Sequence, residues 1–126
     1  MDEITLTLPR AEPYHGIAHL VLGGLAARLG FSVESLDDLQ LALEGLLGAE
    51  AAAERVSVSL CVDGDELRAR LGPFDETLER ELELEGGSKL SLRRLLDTVV
   101  DRVELTEAAG GHWVELRKTV AASTAA

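Results

Sequence analysis

Two runs of alternating residues constrain this chain more than anything else in it. Val56, Val58, Leu60 and Val62 alternate with Ser57, Ser59 and Cys61, and Leu67, Ala69 and Leu71 alternate with Arg68 and Arg70. A period of two puts the apolar set of each run on one face of a strand. Asp63-Gly64 stands between the runs, and Asp-Gly between alternating segments is a strong hairpin signal. Such a hairpin commits the chain to an antiparallel sheet with one apolar face, which other elements must cover.

The remaining segments supply strands and that cover. Ile4, Leu6 and Leu8 alternate with Thr5 and Thr7 as a half-buried strand that Pro9 ends. Pro13 suits the first turn of a helix. Ile17, Leu20, Val21, Gly24, Leu25 and Arg28 recur at helical spacing, and Gly30 is the expected stop. Ser35 is the expected cap of a second helix from Leu36 to about Ala53. Its stripe is Leu36, Leu39, Leu43, Leu46, Leu47 and Glu50, and Leu41 off the stripe implies cover on a second side. Gly72-Pro73 is expected to break the strand ending near Leu71. The acidic stretch 74–87 is open between a strand over Glu81–Glu85 and a helix over Glu76–Leu82. Ser88 would cap a helix from Lys89 to Val100, with Leu92, Leu95, Leu96 and Val99 inward. Val103 and Leu105, then Val114 and Leu116, mark two last strands around Gly110-Gly111. The order β-α-α-β-β-(acidic segment)-α-β-β predicts an α+β two-layer sandwich, a mostly antiparallel sheet with its helices on one face. It forms a single domain over 1–119, with a disordered tail at 120–126.

Charge narrows the function. Of 126 residues, 12 are Lys or Arg and 23 are Asp or Glu, a net charge of −11. Phosphate neutralisation needs clustered cations, so nucleic acid is excluded as a partner, and anionic membrane with it. A basic protein remains a suitable partner. Cys61 is alone, so neither a disulfide framework nor a cysteine metal cluster is expected. The longest uncharged apolar run, Leu20–Ala27, is too short to span a bilayer. Met1-Asp2-Glu3 lacks the basic segment of a secretory signal, and the expected location is the cytoplasm.

Three stretches carry a family resemblance. They are residues 25–32 (LAARLGFS), residues 36–44 (LDDLQLALE), and residues 91–104 (SLRRLLDTVVDRVE) followed by 111–118 (GHWVELRK). In order and spacing they resemble the last turns of the first helix, the nucleotide helix, and the last helix with its closing hairpin in one family. That family is the anti-sigma factor/serine kinase family of the GHKL (histidine-kinase-like, Bergerat) ATPase fold. The resemblance spans roughly residues 3–119. It implies this fold, and a role in regulating a sigma factor or a STAS-type anti-anti-sigma factor.

The same resemblance assigns site positions. Family members use a Glu to activate the attacking hydroxyl, an Asn one turn on to hold Mg²⁺, an Asp before a glycine loop for adenine, and a glycine-rich stretch around the phosphates. Here the base position is Gly45, with Glu44 beside it, and the Asn position is Ala49; a one-residue slip would make Glu44 the base but place Gly48 at the metal position. The chain contains no Asn at all. In the adenine loop Gly72 is kept, but Arg70 or Leu71 stands where the Asp belongs. The phosphate stretch aligns with Gly86, Gly87 and Lys89, Lys89 replacing a Gly. The expected function is therefore regulation by protein binding, with a degenerate ATP site, no catalytic residue and no resident cofactor. The alternative is an active serine kinase using ATP and magnesium, with Glu44 as base and Asp37 or Asp38 near the metal. A third reading is a structural homodimer.

Other candidates are weighed on chemistry alone. Glu12, His15 and His19 offer a helical metal half-site. With no Cys or third His nearby, a pair of exposed imidazoles is preferred and no metal site is expected. His112 reads as a hairpin surface residue, and Cys61 as an unreactive thiol. Residues 86–89 would form either a phosphate cradle or an ordinary loop. Glu79, Glu81, Glu83 and Glu85 are candidate contacts to a basic partner, or a solvated face. Trp113 is a candidate interface anchor if it points outward, or else packs under a loop or on the open sheet face.

Overall fold

A computed structural model describes residues 3–49, 52–83, 92–108 and 110–119. The hairpin forms as its alternation requires. β2 (Ala52–Asp63) and β3 (Glu66–Phe74) pair antiparallel, Leu60 opposite Ala69 and Val62 opposite Leu67, with the reversal at Asp63–Glu66. Gly64 supplies the left-handed turn residue at φ +64°. β1 (Glu3–Pro9) adds antiparallel to the outer side of β2, Leu6 opposite Val58. β4 (Arg102–Ala108) and β5 (Gly111–Thr119) form the closing hairpin, and β5 pairs with β3. The sheet order is β1-β2-β3-β5-β4, antiparallel throughout.

The helices are α1 (His15–Leu29), α2 (Val33–Leu47), α3 (Thr77–Glu83) and α4 (Leu92–Val99), with a 3-10 turn at Glu12–Tyr14. They share one core with the apolar sheet face: Val56, Val58, Leu71 and Val114 from the sheet meet Leu22, Leu46, Leu78 and Leu96. The opposite face is polar. There Thr5 and Ser59 pair through their hydroxyls at 3.0 Å, and Thr7 and Ser57 at 2.9 Å. This is the two-layer α+β sandwich that the element order predicts. No helix among the described residues is long and apolar enough to cross a membrane.

Several boundaries differ from expectation, each for a local reason. Ser32, not Ser35, caps α2: its hydroxyl accepts from the Ser35 N–H at 3.1 Å, and the helix starts three residues early. It ends at Leu47 rather than near Ala53, because Gly48 closes it and Ala52 already belongs to β2. β3 runs through Gly72-Pro73 to Phe74. The ladders on both sides shift register there, and a bulge tolerates a proline with no N–H to donate. Of the two readings of the acidic stretch, the helical one holds over α3. The last helix is described from Leu92 to Val99. The expected cap at Ser88 and the tail at 120–126 lie outside the described residues.

The face of α1 is the largest correction. Ala18, Leu22 and Ala26 are buried, whereas Ile17 is exposed and Leu20 is 77% exposed. No charged residue interrupts this helix between His15 and Ala27, so apolar residues occur on every side and their spacing selects no face. Leu41 of α2 is exposed, so that helix is not covered on a second side.

Leu96 is fully buried where α4 joins the core. Leu96→Ala is expected to destabilise the fold by about 2–5 kcal/mol, read as a lower urea midpoint with an unchanged slope. A cost below about 1 kcal/mol would show that α4 is not part of the cooperative core.

Candidate functional site

The positions that the resemblance assigns to nucleotide chemistry hold groups that pack. Gly45 faces α4. A Cβ built there would stand 2.8 Å from Leu95 Cδ2 and 3.2 Å from Leu92 Cδ1. The missing side chain is thus what lets α2 and α4 approach. Ala49, one turn further on, is buried and presents a methyl group, which is no ligand for a cation that needs oxygen donors. Gly86, Gly87 and Lys89 lie outside the described residues.

At the end of β3 the adenine position is occupied in another way. Leu71 points into the core and is fully buried. Gly72 lies under Trp113: an added Cβ would be 2.5 Å from Trp113 Cδ2 and 2.7 Å from Cε3. Arg70 covers the same ring, its guanidinium carbon 5.4 Å from the ring centroid. Trp113 therefore sits on the open sheet face, half-buried between Gly72 and Arg70, with its indole N–H shielded and without a hydrogen-bond partner among the described residues. The nearest downstream carboxylate, Asp75, accepts from the Thr77 N–H at 2.8 Å and from the Thr77 hydroxyl. Those bonds hold its carboxyl below the ordinary range and commit it to the start of α3.

Glu44 has the most specific surroundings. Its Oε2 accepts from His19 Nε2 at 2.8 Å, and its Oε1 lies 3.6 Å from His15 Nδ1. His15 is buried, and its Nε2 donates to the Arg10 carbonyl at 2.8 Å. The hydrogen bond from His19 is the main cause that holds the Glu44 carboxyl below its ordinary value of about 4.5, with His15 acting in the same direction. The two histidines are therefore not free exposed imidazoles; they tie α1 to α2 through one carboxylate. Among the described residues, no group of three His, Cys, Asp or Glu side chains is placed to hold a metal ion.

The other acidic candidates are spread apart. Asp38 pairs with Lys118 Nζ at 3.2 Å, and the same ammonium donates to the Val99 carbonyl at 2.9 Å. Asp38 thereby joins α2 to β5 and the end of α4. Glu79, Glu81 and Glu83 are positions on α3, whose Leu78 and Leu82 are in the core; Glu85 lies outside the described residues. His112 is half-buried, its Nδ1 3.9 Å from Glu107 at the hairpin end. Sequence reasoning missed two contacts, Glu44 with the histidines and Trp113 on Gly72. Their partners are 25 or more positions apart, and no local spacing announces such a pair.

The Glu44 contact has a pH signature. A carboxylate with a depressed folded pKa stabilises above its unfolded value and loses that effect as the pH falls through the folded one. Wild type is expected to melt above Glu44→Gln at pH values over about 4.5, with the gap closing as the pH falls below it. A gap that persists in acid would show that the carboxylate charge is not what His19 holds.

No family model matches the chain. It is similar to the serine-protein kinase RsbW of Listeria monocytogenes, 29% identical over 82% of this chain and 79% of the relative. The corresponding kinase of Halalkalibacterium halodurans is 25% identical over 86% of this chain and 78% of the relative. That of Bacillus subtilis is 32% identical over a shorter stretch, 69% of this chain and 52% of the relative. Among solved structures, the RsbU and RsbW domains of a Mycobacterium tuberculosis protein superpose with a TM-score of 0.68 at 13% identity. That match covers 97% of this chain and 33% of the solved one. Over most of its length this chain is a relative of the RsbW serine-protein kinases, on the same histidine-kinase-like fold.

Proposed function

We propose that the chain regulates by binding a protein partner, a sigma factor or a STAS-type anti-anti-sigma factor, and transfers no phosphoryl group. The observation that carries this reading is Gly45 packed against Leu95 and Leu92. In the resemblance this is the position of the general base, and here it has no carboxylate, and the Leu92 and Leu95 side chains fill the space beside it. Ala49 in the Asn position removes the metal ligand, and phosphoryl transfer relies on the metal for charge stabilisation. Glu44, the neighbouring carboxylate, is held low in pKa by His19, which makes it a weak proton acceptor. ATP and magnesium are accordingly not resident cofactors in this reading.

The net charge of −11 favours a basic surface on the partner, and complementary charge speeds encounter. Such a regulator works where transcription does, in the cytoplasm. The alternative of an active serine kinase draws its support from the names of the relatives.

The test mixes the purified chain with a STAS-domain protein or a sigma factor and γ-labelled ATP. The expected result is a complex that forms without nucleotide, with no label on the STAS serine. Label transfer that requires magnesium would replace this reading with the kinase.

A further inference from the structure

At the far end of α1 the helical layer and the outer strands do not close on one another. A cavity of about 400 Å³ remains there. Its walls are aliphatic: Ile4 of β1, Leu60 and Val62 of β2, and Leu25 and Leu29 of α1. Gly64 stands at the mouth, where a side chain would meet nothing within 4 Å, so the entrance is open. Two wall residues are open to water, Ile4 at 37% and Leu29 at 46% exposure.

One charged group lines the cavity. Arg28 is exposed, and it makes no ion pair or hydrogen bond among the described residues. Several cations of the sheet have a carboxylate partner: Arg68 has Asp63 and Glu66, Arg102 has Glu104, and Arg117 has Glu115. An uncompensated guanidinium beside an apolar cavity, in a chain with almost twice as many acidic as basic residues, fits one ligand chemistry well. Aliphatic walls offer nothing to hydrogen-bond along the ligand's length, so its body is hydrocarbon. The planar fork of Arg matches a carboxylate with two parallel hydrogen bonds.

We propose that the cavity between the C-terminal half of α1 and strands β1 and β2 binds a medium-chain aliphatic carboxylate, its chain among Ile4, Leu25, Leu60 and Val62 and its head on Arg28. The carboxylate sits on the guanidinium and not on the helix end, whose carbonyls repel anions. A second copy of the chain is a poorer occupant, because it would bring another eleven negative charges to the same surface. This site does not depend on the partner-binding reading and lies away from Gly45.

The test titrates the full chain with decanoate and, in parallel, with decanol, followed by calorimetry and by methyl NMR. Saturable binding is expected, with shifts at Ile4, Leu25 and Val62. Arg28→Gln should weaken decanoate by about tenfold or more, the scale of a lost charge-assisted pair, and leave decanol unchanged. Ile4→Trp, which fills the mouth from an exposed rim position, should block both ligands. The proposal fails if no cavity methyl shifts below the micellar limit, or if Arg28→Gln binds decanoate as tightly as wild type. It also fails if light scattering shows a dimer that Ile4→Trp dissolves, because a second copy then covers the cavity.

Discussion

The structure depends on how closely α4 can approach α2. Leu92 and Leu95 lie in the space a side chain at position 45 would need, so a larger residue there would make those two side chains shift. With that approach made, Leu96 and Val99 are buried in the core that the helices share with the sheet. The same contact has a chemical consequence. A residue pressed against two leucines has no carboxylate to offer a substrate hydroxyl. In the proposed reading, the close packing of α2 on α4 and the absence of a carboxylate at this position meet at one glycine.

A similar exchange is found on the other side of the sheet. Gly72 is retained where the resemblance expects a nucleotide-loop glycine, but the space above it is filled by Trp113 rather than left for a ligand. Arg70 lies over the ring. Glu44 shows the pattern again: its charge is spent on joining α1 to α2 through His19 and His15. In the proposed reading, positions used for nucleotide chemistry in the family serve cohesion here. The scaffold is then free to present an acidic surface to a protein.

Much of the fold was legible because it rests on period and turn chemistry. The alternation around Asp63-Gly64 determined the central hairpin, and the inward set Leu92, Leu95, Leu96 and Val99 determined how α4 sits. The buried face of α1 was not legible, since apolar residues lie on every side of that helix and their spacing selects none. The continuation of β3 past Pro73 was hidden because a bulge depends on both neighbouring strands. For the site, substitutions at positions 45 and 49 could be read residue by residue. What replaced the lost chemistry could not, because Leu95, Trp113 and the two histidines are brought in by tertiary packing.

The central claim is most directly tested by calorimetric titration of the intact chain with ATP, with and without magnesium. The account predicts no saturable heat in either condition, from a protein that remains folded by circular dichroism. Micromolar binding that requires magnesium would contradict it, since it would show that the packing around Gly45 and Ala49 opens to admit a metal-bound nucleotide.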